Sequence, residues 1–320
     1  MIKTNLGKSE VQVPRLGMGV MTWGDAKGMS RYHPAKIAYG GAHGREEEQR
    51  ALEAAITAGV NFFDTASMYS NGASERRLGE LTRNREDVII ATKFPPGFFA
   101  RADGMPRALE ASLERLGRTT IDLYQHHFPS PSVSIPELMA LMAKAVKDGK
   151  IRAVGVSNYS AAQMRAAHAA LAQHGIPLAS NQVEYSLLHR QPEANGVLDT
   201  CRELGITLIA YQPLASGALT GKYTTQAPRP TGLRRFMPYF RKNALDSLTP
   251  VINLLKEIGG RYGKTPAQVA IRWLIENDLV LPIPGAKNAK QAADNAGALT
   301  FSLEAAEVEA LSRATEAWRR

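Results

Sequence analysis

From residue 60 onward the chain alternates between short, continuous apolar runs and longer amphipathic segments. Runs at 60–65, 88–93, 121–127, 151–156, 179–185, 206–211 and 279–283 are rich in Val, Ile and Leu. They are nearly uninterrupted rather than alternating, the pattern of parallel strands covered on both faces. Between and after them, apolar residues recur at helical spacing over 74–83, 103–116, 135–147, 160–173, 193–204, 250–262, 266–276 and 289–296. Ser74 and Asp103 are placed to cap the first two of these helices, and Asp148-Gly149 marks the end of the third. Ahead of the series, 16–23 reads as a first core strand, and 46–58 as a helix with an acidic start closed by Gly59. Residues 2–15 alternate and turn at Gly7-Lys8, which predicts a small hairpin, and 303–318 adds a last amphipathic helix.

That gives eight strands, each followed by a helix or by a loop and a helix, with no break in spacing that would mark a boundary. The expected fold is α/β, a closed (β/α)8 TIM barrel with an N-terminal β-hairpin and an added C-terminal helix, built as one domain over 1–320. A doubly wound sheet is the alternative. Two segments are too long for plain connections and are candidate functional loops: 24–44 and the excursion through 216–246.

Composition changes this picture little. The 44% hydrophobic and 22% charged fractions are those of an ordinary globular protein. One cysteine, Cys201, allows no internal disulfide. The opening residues lack the apolar stretch of a secretory signal and no run reaches membrane-span length, so a cytoplasmic setting without membrane contact is expected. The excess of 39 Lys+Arg over 30 Asp+Glu is spread out, with modest clusters at 229–242 and Arg319-Arg320. It reads as a basic, solvated surface, or as a basic mouth that attracts an anionic ligand, and not as a nucleic-acid stripe.

The candidate chemistry lies at strand ends, where barrel enzymes carry their active residues. Asp64 ends the second strand, Lys93 the third and His127 the fourth, and Tyr69 follows Asp64 by five residues on one loop. A phenol is a poor acid at neutral pH. A nearby lysine ammonium is expected to lower its pKa, with an aspartate holding the lysine charged, and a histidine can donate to a substrate oxygen. Such a group could protonate an oxygen as hydride reaches the neighbouring carbon. His126 should point to the opposite side of its strand from His127, and no metal is expected. Two look-alikes fail. Gly217-Ala-Leu-Thr-Gly-Lys-Tyr223 has the wrong spacing and ending for a phosphate loop. The helices around 262–266 fit barrel packing better than a DNA-binding helix-turn-helix.

Asn61-Phe-Phe-Asp-Thr-Ala-Ser-Met-Tyr69, Ala91-Thr-Lys93, Asp122-Leu-Tyr-Gln-His-His127-Phe-Pro, Gly155-Val-Ser-Asn158, Asn181-Gln-Val-Glu-Tyr-Ser186, Ala210-Tyr-Gln-Pro-Leu214 and Ile283-Pro-Gly-Ala-Lys-Asn288 together resemble the aldo-keto reductase family, in family order across nearly the whole chain. The resemblance implies a barrel that reduces a small-molecule carbonyl with NADPH, with Asp64, Tyr69, Lys93 and His127 as its tetrad. It also implies that Ser157, Asn158 and Gln182 hold the nicotinamide carboxamide and that Tyr211 stacks on its ring. Leu214, Ser216 and Leu219 would follow the pyrophosphate. Gly285, Lys287, Asn288, Gln291 and Asn295 would form the adenosine-phosphate site. Gln291 stands where the family often has arginine, and Lys287 still offers a cation for a 2′-phosphate, so NADPH is expected ahead of NADH. Trp23, Phe94 and Phe128 are candidate pocket walls, with substrate contacts expected from the 24–44 and 224–246 loops. The resemblance leaves the carbonyl open among aldehydes, sugars, ketones, quinones and pyridoxal. It also carries a second role, that of the potassium-channel beta subunits, which bind NADPH and act through a partner.

Overall fold

In the computed structural model, the described residues are 3–25, 44–95, 101–224, 230 and 232–319. Most of the 24–44 loop, from which substrate contacts are expected, therefore lies outside them, as do 225–229 and 231 of the second loop. The hairpin pairs β1 (Lys3–Asn5) with β2 (Gln12–Pro14) in antiparallel register. The eight parallel strands are β3 (Met18–Gly19), β4 (Phe62–Asp64), β5 (Ile89–Phe94), β6 (Ile121–His126), β7 (Ile151–Ser157), β8 (Leu178–Glu184), β9 (Thr207–Tyr211) and β10 (Val280–Pro282). They are bonded in sequence order, and the two ends meet where Gly17 and Gly19 donate backbone N–H groups to Pro282 and Pro284 at 3.0 and 3.2 Å. The sheet therefore runs round into a barrel and not into an open, doubly wound sheet.

Alternation along each strand separates two apolar layers. Ile89, Ala91, Leu123, Ala153, Ala179, Ile209 and Leu281 face the barrel interior. Ile90, Phe94, Tyr124, Val154, Val156 and Leu208 face the surrounding helices. Leu6, Val11 and Val13 from the hairpin join the interior set, so the hairpin plugs the barrel at the strands' N-terminal end. Gly7 permits that approach: its φ is +55°, and a Cβ there would lie 2.4 Å from the Ala179 carbonyl oxygen.

The helices are α1 (Arg45–Thr57), α2 (Ala73–Leu81), α3 (Met105–Leu116), α4 (Ile135–Lys147), α5 (Ala161–Ala172), α6 (Gln191–Ala194), α7 (Val197–Leu204), α8 (Lys242–Tyr262), α9 (Pro266–Ile275), α10 (Ala289–Ala296) and α11 (Ala305–Ala314). Several expectations need correction. Ser74 does not cap α2: the helix starts after Gly72 in left-handed conformation, and the buried Ser74 hydroxyl donates to the Val20 carbonyl at 2.7 Å. Asp103 sits in a 3-10 turn ahead of α3 and makes no cap. The expected helix over 193–204 is two, broken where Gly196 adopts φ +81°. Helix α8 begins at Lys242, eight residues before Pro250, because Leu245, Leu248, Ile252 and Leu255 form one buried stripe that outweighs the bond lost at the proline. The last helix stops at Ala314, and Glu316–Arg319 is a 3-10 turn. Among the described residues, no helix is long and apolar enough to cross a membrane.

Helices α2 and α3 come unusually close at Gly79, where an added Cβ would sit 2.3 Å from the Leu116 carbonyl oxygen. Replacing Gly79 by alanine must part the two helices, since backbone cannot step aside cheaply. Gly79→Ala should lower stability by roughly 1–3 kcal/mol, the range for overpacking, despite alanine's better helix propensity. Thermal melting of the purified variant checks this; an unchanged or raised midpoint would show that the contact is slack.

Candidate active site

Strand alternation brings Lys93 to the interior after Ile89 and Ala91, into a layer already floored by apolar side chains. The side chain has no solvent exposure, and its three ammonium protons meet three oxygens. Asp64 Oδ1 lies at 2.6 Å, the Thr65 carbonyl at 2.8 Å and the Tyr69 hydroxyl at 3.4 Å. Burial alone would push the lysine pKa down; the Asp64 carboxylate and the Tyr69 oxygen outweigh it, and the net direction is up. The other carboxylate oxygen of Asp64 accepts from Gln182 Nε2 at 2.8 Å and from Gln125 Nε2 at 3.3 Å. Gln125 was not picked out from the sequence; on β6 it follows Leu123 on the inward-facing register, and that alternation was the available signal.

The loop carrying Tyr69 is pinned by its backbone. Ser70, Asn71 and Gly72 are all left-handed, with φ of 50°, 55° and 79°, a run that non-glycine residues adopt only against resistance. Arg76 Nη2 donates to the Asn71 carbonyl at 2.9 Å, and Gly72 lies directly on the Arg115 side chain, itself bonded to the buried Glu75 at 2.6 Å. Tyr69 is partly buried. Its pKa is raised, because desolvation outweighs the pull of Lys93, with Asp64 adding to the rise. The expected net lowering by lysine is therefore corrected: the ammonium acts in that direction but does not win.

His127 stands edge-on to Tyr69, ring centroids 5.8 Å apart, and is 5% exposed. Burial first, then Lys93 and His126, hold its pKa down to about 2, so the ring is neutral at working pH. Beyond it the polar residues form one chain of bonds. Asn158 Nδ2 donates to the His127 carbonyl at 3.1 Å and to Ser157 Oγ at 3.0 Å. Ser157 Oγ donates to the Gln182 carbonyl at 2.9 Å, and Tyr211 OH donates to Asn158 Oδ1 at 3.0 Å. Asn158 itself is left-handed (φ 59°), which turns its side chain back across the strand ends.

A second cluster lies past β9. Gln212, Ala215, Ser216 and Gly217 all have positive φ, curling the backbone into a tight cradle. Arg234 Nη2 donates to the Ser216 carbonyl at 2.7 Å, with its guanidinium over Tyr223 and Phe240. Burial first, then the neighbouring Arg234, lower the Lys287 pKa, so two cations are brought together here. Asn288 caps α10 through the Gln291 N–H at 2.9 Å, Gln291 Oε1 accepts from the Lys287 N–H at 2.9 Å, and Asn295 Nδ2 donates to the Gly285 carbonyl at 3.2 Å. These residues hold the turn that presents Lys287. In the sequence Arg234 is one member of the basic 229–242 cluster, and nothing in a local pattern says which of several arginines folds inward. Leu219 is fully buried and its N–H is bonded to the Leu214 carbonyl, so it supports the cradle from beneath.

Of the three aromatic candidates, only Phe128 is at the mouth: it is 40% exposed and stacks on His127 at 4.7 Å. Trp23 is wholly buried and donates to the Ala286 carbonyl at 2.9 Å. Phe94 faces the helix layer, against His126 at 5.6 Å, because it falls on the alternate register from Lys93. Phe94 therefore faces away from the cleft. Among the described residues no group of three or more His, Cys, Asp or Glu side chains is placed to hold a metal.

The two histidines also set an acid limit on stability. Burial lowers His126 to about 4 and His127 to about 2, both below the ordinary 6.5. The unfolded chain therefore binds more protons as pH falls through 6.5, and stability is lost from there downward, by up to about 1.4 kcal/mol per pH unit for each ring. Chemical denaturation should show a midpoint that drops between pH 6.5 and 5, with a shallower slope in His127→Gln. Identical slopes would remove His127 from this account.

The geometry can be set beside known proteins. The family model described as "Aldo/keto reductase family" matches residues 15–316. The chain is 35% identical to an aldo-keto reductase of Strobilurus tenacellus, covering 95% of this chain and 89% of that protein. It is 36% identical to the chloroplastic pyridoxal reductase of Arabidopsis thaliana, covering 92% and 80%. An aldo-keto reductase from Klebsiella pneumoniae, solved in complex with NADPH, superposes with a TM-score of 0.74 at 30% identity, over 98% of this chain and 95% of that one. The chain belongs to the aldo/keto reductase family and is an NAD(P)H-dependent oxidoreductase.

Proposed function

We propose that the protein reduces an aldehyde or ketone to the alcohol with NADPH, and that Tyr69 is the proton donor. The observation that carries this is the buried Lys93 ammonium, which joins the Tyr69 hydroxyl to the Asp64 carboxylate beside a neutral His127. The residues suit a nicotinamide dinucleotide: a polar edge of Ser157, Asn158 and Gln182 under Tyr211 lies at one end, and a positively curled backbone cradle with Arg234 and Lys287 at the other. When bound, the cofactor supplies the hydride to the carbonyl carbon.

The chain's own part is the proton and the oxygen. His127, neutral, has one N–H and can donate it to the carbonyl oxygen, orienting it toward Tyr69. Tyr69 passes its proton to that oxygen as the carbon is reduced, and becomes a phenolate. Lys93 stabilises that anion at once, being held charged by Asp64. Gln125 and Gln182 keep Asp64 from rotating. Phe128 and Met68, each 40% exposed, give the mouth an apolar rim. A cytoplasmic setting and a small-molecule substrate belong to the same reading.

Tyr69→Phe should bind NADPH within about twofold of wild type and lose at least about a hundredfold in turnover of 4-nitrobenzaldehyde. NADPH bound by wild type with no turnover of any carbonyl would favour a partner-directed role instead. Because the Tyr69 pKa is raised, its proton is present through neutral and mildly alkaline pH. The reduction rate should stay flat from about pH 6 to 9 and fall only above the ordinary phenol value of ~10; a loss centred below pH 9 would argue against this donor.

The two cations should also decide between cofactors. Wild type is expected to bind NADPH at least tenfold more tightly than NADH, since a charge-assisted contact to phosphate is worth ~1.5–3 kcal/mol. Lys287→Met should erase most of that difference while leaving NADH binding near wild type. Equal affinities in wild type would place the 2′-phosphate elsewhere.

A further inference from the structure

Three residues of the site, His127, Asn158 and Gln182, stand on adjoining strand ends, and each has a chain neighbour pointing to the opposite side of the barrel wall. Those neighbours are His126, Tyr159 and Asn181, and they form a hydrogen-bonded set of their own. His126 Nδ1 is 2.7 Å from Tyr159 OH, with the rings edge-on at 5.7 Å. Asn181 Nδ2 donates to the Tyr159 carbonyl at 3.0 Å, and Asn181 Oδ1 accepts from the Tyr159 N–H at 3.4 Å. His126 and Tyr159 are each 1% exposed and Asn181 is fully buried.

We propose that His126 and Tyr159 are positioning residues, a buried pair that fixes the catalytic His127 and the cofactor-edge residue Asn158 from behind. The inference rests on the proposed NADPH reduction. In front, Asn158 Nδ2 reaches the His127 carbonyl; behind, the imidazole of residue 126 reaches the phenol of residue 159. The two bonds close a ring between the ends of β6 and β7, so neither strand end can turn without breaking one. Asn158 holds a left-handed backbone, a conformation asparagine tolerates better than other non-glycine residues but still at some cost, and its bonds on both sides keep it there.

The chemistry also sets the direction of the rear bond. His126 Nε2 is buried with no partner among the described residues. If Nδ1 carried the proton, both Nε2 and the Tyr159 hydroxyl hydrogen would need partners in an apolar layer bounded by Phe94. With Tyr159 donating to Nδ1, a single N–H at Nε2 is left over. Tyrosine is thus the donor, and neutral histidine the acceptor.

Tyr159→Phe removes only the donating hydroxyl and keeps the ring; His126→Leu removes the acceptor; His126→Asn restores an acceptor at the position of Nδ1. Fluorescence quenching should show NADPH binding weakened about three- to tenfold in Tyr159→Phe and His126→Leu, no further loss in the double variant, and His126→Asn within twofold of wild type. In the cofactor-free protein, hydrogen exchange over 157–160 should accelerate in Tyr159→Phe, because the Asn158 N–H bond to the Gln182 carbonyl loses its brace. Unchanged NADPH affinity in both disrupting variants overturns the inference, whatever the exchange or the melting temperature does. Loss in His126→Asn equal to that in His126→Leu overturns it too. If wild type itself fails to bind NADPH, it is the reductase reading that falls, and the exchange measurement alone then decides whether the pair braces Asn158.

Discussion

A lysine with no solvent exposure is the constraint around which this structure is arranged. Bringing an ammonium into a barrel interior costs several kcal/mol unless every proton finds an oxygen. Here Asp64, the Thr65 carbonyl and Tyr69 provide those oxygens, and two glutamine amides satisfy the far side of the carboxylate. The layer beneath must then be dry and closely packed, which is what Leu123, Ala91, Ile209 and the hairpin's Leu6, Val11 and Val13 supply. The ion pair is thus less a source of stability than a reason for the rest of the core to be where it is.

Function follows from the same unevenness of environment. Burial raises the Tyr69 phenol and keeps His127 neutral, so the site holds two proton donors that neither ionise nor charge over the ordinary pH range. In the proposed reduction, Lys93 is the permanent cation that meets the negative charge left on Tyr69. Around these, left-handed residues recur at Ser70, Asn71, Asn158 and 212–217. Conformational strain of this kind survives only where packing over-determines it, and here it marks the segments that must face one cleft.

Much of this was legible in the chain. Continuous Val/Ile/Leu runs at regular spacing require strands buried on both faces, and that alone led to the parallel barrel and to strand ends as the place for Asp64, Lys93 and His127. Helix boundaries were less legible. Ser74 looks like a cap but is drawn inward to Val20, and Pro250 looks like a start but lies inside α8, because tertiary burial outweighs local preference at both. Phe94 shows the same limit: an aromatic near a site in sequence lines it only if its register points that way.

What the sequence determined by itself is therefore the set of groups and the scaffold that presents them, since residue identity and apolar periodicity are local properties of the chain. Which groups actually meet was decided by the tertiary structure. That Gln125 and Gln182 share Asp64, that Arg234 among several arginines turns in beside Lys287, and that His126 bonds Tyr159 across two strands are all consequences of closure and register. The direction of the Tyr69 pKa belongs here too. A lysine delivered to the neighbouring strand end suggests a lowered value, but desolvation depends on how much of the chain surrounds the phenol, and only the folded barrel fixes that.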